Sequence, residues 1–80
     1  MRLLRIKEVS KVTGLSVSSI YKQVRLGNFP KNIKITSRAI GWPEEEVLKI
    51  NEGRVAGLSD SEIQELVDNI EASRKNRGSV

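Results

Sequence analysis

Cysteine and histidine are both missing from this 80-residue chain. Without cysteine, the protein has neither a disulfide framework nor a thiolate ligand for a metal ion. The sequence also lacks a glycine-rich phosphate loop, and its acidic residues form no carboxylate pair in an apolar setting that would serve acid–base catalysis. We therefore predict a protein that is not an enzyme, with no catalytic residues, no metal site, no cofactor and no small-molecule ligand.

Long apolar runs are missing as well. No segment approaches the roughly 18 consecutive apolar residues of a transmembrane helix. The first residues, MRLLRIKEVS, carry a charge at every second or third position and contain no apolar segment typical of a secretory signal. We expect a cytoplasmic protein that does not contact a membrane, and a length of 80 residues is enough for one small domain.

Acidic residues are nearly absent from the first half of the chain. Residues 1–42 contain nine bases and a single acid, Glu8, which gives a net charge of +8, whereas residues 43–80 contain five bases and nine acids, which gives −4. This separation favours a polyanionic partner for the first half. A basic surface that is merely solvated is the alternative, and charge alone does not decide between the two.

Two short helices separated by a glycine-containing turn are predicted between residues 6 and 26. The first has an apolar stripe within Ile6–Val12 and ends at Gly14. Ser16 is suited to cap the second helix, because its hydroxyl can accept a hydrogen bond from a free N–H in the first turn. Gly27 can adopt the positive φ that ends a helix, and Pro30 prevents continuation. Two helices joined in this way form a helix-turn-helix.

A polar stripe on the second helix indicates what this helix-turn-helix binds. Ser18, Lys22 and Arg25 follow one another at i, i+4 and i+7, roughly opposite the apolar pair Ile20 and Val24. Small hydroxylated residues allow a helix to enter the major groove of DNA, where lysine and arginine reach guanine or phosphate. An ordinary amphipathic helix has a similar solvated face, but the preceding turn and the basic first half favour DNA reading.

The segment after the second helix predicts a β-hairpin, which would form the wing of a winged helix-turn-helix. Apolar residues alternate with polar or small ones around a turn at Thr36–Ala39, so we expect the hairpin to bury Ile33, Ile35, Ile40 and Trp42. The outward side chains of the wing are candidates for contact with phosphate or the minor groove. They are Lys34, Ser37 and Arg38.

The second helix and the wing together supply the predicted DNA-binding residues. Tyr21 has two interpretations that the sequence leaves open, because its ring can pack against the core while its hydroxyl either contacts a phosphate or has no role in binding. The predicted set is Ser16, Val17, Ser18, Ser19, Tyr21, Lys22, Arg25, Lys34, Ser37 and Arg38.

Two more helices are predicted in the acidic half. Pro43 suits the first position of a third helix, and the glutamates that follow it suit the positive end of the helix dipole. Ser59 and Glu62 form the pattern of a capping box that opens a fourth helix. Its apolar stripe either closes the core of the monomer or packs against another copy or a different protein, and we expect the polar tail from Ser73 to fray.

Taken together, these sequence motifs resemble those of the AlpA-type prophage regulators, which are small winged helix-turn-helix proteins related to the MerR-like and excisionase group. The resemblance covers Leu4 to about Ile50 and depends on the linked motifs TGLS, SIYK, GNFP, SRAIGW and EEEV in this order. It implies that Ser16, Ser18, Ser19 and Lys22 lie on the recognition helix. Arg38 would lie at the turn of the wing. Three features depart from the family pattern: Val17 occupies a position that is often basic, Ile50 replaces an expected tryptophan, and the helix after Leu58 lies outside the resemblance.

The expected fold is therefore mainly α with a small β-hairpin wing, a winged helix-turn-helix followed by a C-terminal helix. We expect a DNA-binding domain in residues 1–57, and a C-terminal helix with a polar tail in residues 58–80. The predicted function is sequence-specific binding of double-stranded DNA to regulate transcription in a phage or prophage context, as a homodimer or a cooperative multimer at the bacterial nucleoid. One alternative is an excisionase-like architectural factor, and another is an adaptor that docks its C-terminal helix on a partner protein.

Overall fold

A computed structural model describes residues 2–78 of the chain, with side chains described up to Lys75. The elements follow in the order β1 (Leu3–Leu4), α1 (Ile6–Thr13), α2 (Val17–Leu26), β2 (Ile33–Lys34), β3 (Ile40–Pro43), α3 (Glu44–Val55) and α4 (Asp60–Gly78). The predicted fold class is confirmed, since the structure is mainly helical with a small antiparallel sheet after the second helix.

The helix-turn-helix has the predicted ends. Gly14 (φ 77°) closes α1 and Gly27 (φ 82°) closes α2, both in the left-handed conformation that glycine adopts without a Cβ clash. Ser16 caps α2, because its Oγ accepts a hydrogen bond of 3.2 Å from the backbone N–H of Ser19. Since Ile20 is fully buried, one face of α2 is fixed against the core and the opposite face is left to solvent.

The sheet has three strands in the order β1-β3-β2, and both pairings are antiparallel. The predicted hairpin corresponds to β2 and β3, whereas β1 was not predicted. Leu4 of β1 lies opposite Trp42, and this brings its carbonyl close to Gly41. A Cβ on Gly41 would lie 2.7 Å from that oxygen, so only glycine fits at this point of the pairing between β1 and β3.

Trp42 lies at the centre of the core and is fully buried. Its ring packs edge-on against Phe29 with 6.1 Å between centroids, and its Nε1 donates a hydrogen bond of 2.8 Å to the carbonyl of Pro30. The segment from Asn28 to Pro30, whose sequence predicts only the end of a helix, is therefore part of the core as well. Burial of its side chains fixes the path of the chain from α2 into the wing.

Two details of the predicted wing and third helix are wrong. Ile35 is 37% exposed, because β2 ends at Lys34 and Ile35 already belongs to the turn, where its N–H donates to the carbonyl of Ala39. Pro43 is the last residue of β3 and the N-cap of α3, so the helix begins at Glu44 rather than at Pro43. Pairing of Pro43 with Leu3 keeps it in the sheet.

α4 begins with the predicted capping box. The N–H of Ser59 donates to Oε1 of Glu62 over 3.0 Å, and the N–H of Glu62 donates to Oγ of Ser59 over 3.3 Å. These hydrogen bonds lower the pKa of the Glu62 carboxyl, with the backbone donor of Ser59 as the main cause. In the structure α4 continues to Gly78, so the part of the polar tail from Ser73 to Gly78 is helical, and its fraying stays a prediction; residues 79 and 80 lie outside the described part.

The apolar stripe of α4 lies inside the chain. Ile63 is fully buried, and Val67 and Ile70 are 3% and 4% exposed. α3 and α4 approach closely at Gly53, where a Cβ would lie only 3.1 Å from the side chains of Ile63 and Leu58. The core of the described chain therefore includes residues from both predicted segments, although the division at residue 57 itself stays a prediction.

Candidate nucleic-acid interface

The outward face of α2 carries the predicted polar stripe. Ser18, Lys22 and Arg25 are all exposed, while Ile20 on the opposite side of the helix is fully buried. Val17, in the first turn, is 41% exposed and presents its methyl groups beside the serines. The first turn of α2 therefore carries small, partly apolar side chains and its C-terminal half carries cations, which are side-chain types that can contact base edges and phosphates.

The hydroxyls at the start of α2 are linked to one another. Besides capping the helix, Ser16 donates a hydrogen bond of 2.9 Å from its Oγ to Oγ of Ser19, and Oγ of Ser18 lies 3.3 Å from Oγ of Ser16. Ser16 therefore has a structural role at the N-terminus of the helix, and Ser19 is only partly exposed. Of the three serines, Ser18 lies most directly on the outward stripe, next to Lys22.

Tyr21 joins α2 to the sheet. Its ring packs against the core and lies 6.2 Å from that of Trp42, tilted by 53°. Because the side chain is half-buried, the packing role that the sequence left open is present, and a further role of its hydroxyl in DNA contact stays a prediction. The contact sets the angle between α2 and β3.

The tip of the wing is held by side-chain hydrogen bonds. Oγ1 of Thr36 accepts from the N–H of Arg38 over 3.2 Å and from the N–H of Ala39 over 3.1 Å. Lys34, Ser37 and Arg38 are exposed around this turn. The structure thus places the three predicted wing residues at the surface on a short turn that is ordered by its own threonine.

The cations of α2 and the wing have no ion-pair partner within residues 2–75; they are Lys22, Arg25, Lys34 and Arg38. Glu8, the single acid among residues 1–42, forms an ion pair with Arg2, in which a carboxylate oxygen lies 2.6 Å from Nη2. The N–H of Arg5, which donates to the Glu8 carboxylate, is the largest cause of the lowered pKa of Glu8, and Arg2 adds to it. Among the described residues, α2 and the wing therefore present positive charge that no intramolecular ion pair offsets.

A buried ion pair holds the base of the wing against α4. Nε and Nη2 of Arg74 donate to the two carboxylate oxygens of Glu46 over 3.0 and 2.6 Å, and the same Nη2 donates to the carbonyl of Lys31 over 2.7 Å. The N–H of Lys31 in turn donates to Glu71 over 2.8 Å. Hydrogen bonding to Glu46 raises the pKa of the Arg74 guanidinium.

Sequence reasoning missed this set of contacts, because 28 residues separate Arg74 from Glu46 and each lies in a stretch of similar charged residues. The only local signal is that Arg74 lies one turn beyond Ile70, the last buried residue of the α4 stripe. Through Lys31, this pair connects α4 to the segment that leads into the wing.

A groove of about 490 Å³ runs beside the C-terminal half of α2 and separates it from α3. Lys22 and Leu26 line one side, and Asn51 and Arg54 line the other. Arg54 donates a hydrogen bond of 2.9 Å to Asp60 at the start of α4. The local sequence around Arg54 gives no sign of this position, since its place on the same groove as Lys22 depends on the packing of α3 beside α2.

The fold defines a small winged helix-turn-helix protein that exposes two basic residues on its second helix, Lys22 and Arg25, and two on its wing, Lys34 and Arg38. The family described as the prophage CP4-57 regulatory protein (AlpA) matches residues 2–55, and the chain belongs to this family of phage-associated regulatory proteins. The predicted resemblance is thereby confirmed. The matched part comprises the helix-turn-helix, the wing and α3, and it leaves out α4.

The chain is also similar to the uncharacterized protein ORF88 of Enterobacteria phage P4. The two are 39% identical over 56 residues, which is 70% of this chain and 64% of the phage protein. This chain therefore matches less than two thirds of the length of that relative. Within the described residues, no helix combines the length and the apolar character that crossing a bilayer would need.

Proposed function

We propose that the protein is a sequence-specific DNA-binding regulator of transcription, with α2 as the recognition helix. The observation that carries the proposal is the exposed stripe of Ser18, Lys22 and Arg25 on the second helix of a helix-turn-helix, whose cations form no ion pair with any residue from Arg2 to Lys75. Membership of a regulatory family supports it.

In the proposed complex, α2 enters the major groove with its N-terminal turn foremost. Ser18 lies in the first turn of α2, where its hydroxyl can form a hydrogen bond to a base edge or a phosphate. The methyl groups of Val17 can pack against the C5-methyl group of thymine. Lys22 and Arg25 extend farther and can donate to guanine O6 and N7 or to the phosphates that border the groove. Reading of bases then depends on side chains that the helix holds at fixed spacing.

The flanking elements supply contacts that position the protein without reading bases. Lys7 and Lys11 are exposed on α1, which crosses the backbone in this docking mode. Lys34 and Arg38 on the wing approach the next phosphates or the minor groove. Bound beside a promoter, the protein would activate or repress the adjacent gene by occupying that site.

The adaptor alternative finds less support in the contacts of α4. An adaptor that docks α4 in the groove of a partner needs an exposed apolar face, whereas Ile63, Val67 and Ile70 are buried against the rest of the chain. We propose instead that α4 completes the core of the DNA-binding domain and holds the wing through Arg74 and Glu46. The excisionase-like alternative uses the same DNA-binding surface and differs in how copies are arranged along DNA.

A salt titration tests the proposal. The affinity for a labelled duplex is measured by fluorescence anisotropy over a range of salt concentrations, and neutralisation of about six phosphates predicts a slope of log K against log[salt] near −5. The Arg38→Ala variant is expected to reduce the magnitude of that slope by about one, whatever the DNA sequence. Absence of binding at low salt would overturn the proposed function.

A further inference from the structure

The groove between α2 and α3 has an apolar lining. Phe29 and Ile50, which are 2% and 3% exposed, contribute its buried part, and Leu15 and Leu26 line it nearer the surface. Its volume of about 490 Å³ lies within the range of about 300–1,000 Å³ that is typical of sites for small organic molecules. The lining therefore suits a ligand that has an apolar body.

Three side-chain amides form a set of hydrogen bonds from α4 to α2, which we call the amide network. Nε2 of Gln64 donates to the carbonyl of Leu26 over 3.4 Å and to Oδ1 of Asn28 over 3.1 Å. Nδ2 of Asn28 donates to Oε1 of Gln23 over 3.1 Å. Because Asn28 is only 7% exposed, the middle of the network is shielded from water.

The direction of the amide network follows from its first acceptor. A backbone carbonyl can only accept, so the end of Gln64 beside Leu26 has to be its NH2 group. Asn28 then has to turn its oxygen to Gln64 and its NH2 group to Gln23. The oxygen of Gln23 thereby faces Asn28, and its NH2 group has no acceptor within residues 2–75. Since Gln23 lines the groove, the group that it offers to a ligand is a donor.

Two cations line the same groove. Lys22 forms no ion pair with any residue from Arg2 to Lys75. Arg54 donates from Nη1 to Asp60, and the other N–H groups of its guanidinium stay available to a ligand. Among the described residues that line the groove, Asp60 is the one acid, and its side chain is 71% exposed. Since Arg54 offsets the charge of Asp60, the charge of Lys22 is left over, and the groove is complementary to an anion.

We propose that this groove binds a small organic anion, a carboxylate with an aromatic or aliphatic body. The carboxylate accepts from the ammonium of Lys22 and from the NH2 group of Gln23, and the body packs on Phe29 and Ile50. The apolar lining is the reason to choose an organic anion, because a bare phosphate group would leave it uncovered. The sequence alone predicts no small-molecule ligand, since it contains no local binding motif, whereas this groove forms where segments distant in sequence meet.

Lys22 belongs both to the groove and to the stripe that is proposed to read DNA. A carboxylate that pairs with its ammonium removes this cation from the DNA-binding surface. The ligand and DNA are therefore expected to weaken each other's binding by the same factor. This consequence rests on the proposed DNA-binding function, whereas binding of the ligand itself does not.

An NMR titration of the full chain without DNA tests the site. Phenylbutyrate is the probe, phenylbutyramide is its neutral counterpart, and acetate and inorganic phosphate are anions without an apolar body. Phenylbutyrate is expected to shift the side-chain NH2 signal of Gln23 in a saturable way. It should bind about tenfold more tightly than each of the other three, because only phenylbutyrate supplies both the charge and the body. Equal affinity for phenylbutyramide, or shifts confined to residues outside the groove, would overturn the proposal.

Lys22→Ala tests the anion contact. The variant is expected to bind phenylbutyrate about tenfold more weakly and to bind phenylbutyramide as the natural chain does, because only the charged ligand uses the ammonium. Lys75→Ala removes the same charge from an exposed position that does not line the groove, and it should bind phenylbutyrate like the natural chain. An equal loss in both variants would indicate general electrostatic attraction and would count against the site.

Gln64→Met tests the amide network from a position that does not itself line the groove. Without the donor of Gln64, the amide of Asn28 is free to turn over, and Gln23 can then present its oxygen to the groove. Binding of phenylbutyrate is expected to weaken about threefold, with the thermal midpoint recorded to show that the variant is folded. Unchanged affinity would mean that the network does not set the direction of Gln23.

Addition of saturating phenylbutyrate to the anisotropy titration measures the link to DNA. The DNA affinity of the natural chain is expected to fall several-fold, and that of Lys22→Ala should not change. A chain that binds phenylbutyrate and shows no such fall would refute the link between the groove and DNA. A chain that binds phenylbutyrate and binds no duplex at low salt would refute the proposed function and leave the anion site in place.

Discussion

The rings of Tyr21 and Trp42 lie 6.2 Å apart at an interplanar angle of 53°, and this contact joins the helix proposed to read DNA to the central strand of the sheet. The same indole donates to the carbonyl of Pro30, at the point where the chain passes from α2 to the wing. One buried side chain therefore fixes the recognition helix and the wing relative to each other. Rigid support of this kind allows a small domain to present both elements to DNA with little ordering cost on binding.

Tyr21 is expected to combine packing with a polar contact. Tyr21→Phe keeps the ring against Trp42 and should leave the free energy of unfolding unchanged within about 0.5 kcal/mol. Loss of the hydroxyl is expected to weaken DNA binding by about 0.5–1.5 kcal/mol, the usual contribution of a hydrogen bond. Urea denaturation and anisotropy titration measure the two quantities. If Tyr21→Phe binds DNA as tightly as the natural chain, the role of Tyr21 is packing alone.

Lys22 gives the most local prediction of base reading. Lys22→Ala is expected to weaken binding to the preferred site by about 1–3 kcal/mol and to relax the preference at one base pair. Lys75→Ala removes the same charge from an exposed position on α4 and is the control for the general electrostatic effect. Competition titrations with single-base variants of the site measure both. Equal affinities of the two variants would remove Lys22 from the DNA-binding surface.

The ion pair between Arg74 and Glu46 is expected to be important for stability. The side chain of Glu46 is only 2% exposed and that of Arg74 is 22% exposed, and Arg74→Ala removes the hydrogen bonds of the guanidinium to this carboxylate and to the carbonyl of Lys31. The expected loss is about 1.5–3 kcal/mol in the free energy of unfolding, the usual range for hydrogen bonds to a charged group. Urea denaturation provides the measurement, with Lys75→Ala as the neighbouring control.

The outcome for Arg74 also bears on the place of α4 in the domain. A large loss would mean that α4 is part of the cooperative unit that includes the helix-turn-helix. A loss below about 1 kcal/mol would indicate that α4 contributes little to that unit, in keeping with the separate segment predicted for residues 58–80.

Acid should weaken the start of α4 through Glu62. A carboxyl whose pKa is lower in the folded chain than its usual 4.5 stabilises the fold above that value, and this contribution is lost as the pH falls through the folded pKa. Glu62→Gln is therefore expected to lower the thermal midpoint at pH 7 and to show a smaller further decrease between about pH 5 and pH 3. Glu65→Gln, at an exposed position on the same helix, is the control. Parallel acid profiles for the natural chain and Glu62→Gln would contradict this account.

The helices could be predicted from the sequence because their signals are local. Ser16 and Gly27 define the ends of α2 within a dozen residues, and the pattern of Ser59 and Glu62 defines the start of α4. Strand β1 was missed because a strand of two residues, Leu3–Leu4, is too short to show an alternation, and its pairing depends on Trp42 far along the chain.

The parts that could not be predicted depend on contacts between distant residues. The apolar stripe of α4 has the same pattern whether it closes the core or binds another chain, and its burial in the folded chain, with Ile63 packed against Gly53, shows that it lies inside. The pairing of Arg74 with Glu46 is of the same kind. For the interface, the outward stripe of α2 followed from helical periodicity, while the position of Arg54 beside the same groove did not.

The central claim is that α2 reads bases, and selection of bound duplexes from a randomised DNA pool at physiological salt tests it most directly. Sequencing of the retained duplexes is expected to recover a preferred motif, and the Lys22→Ala variant should lose the preference at one position of that motif. Two-fold symmetry of the motif would fit a dimer, and closely spaced direct repeats would favour the excisionase-like arrangement. Retention without any preferred sequence would contradict base reading by α2, and no retention at all would contradict DNA binding itself.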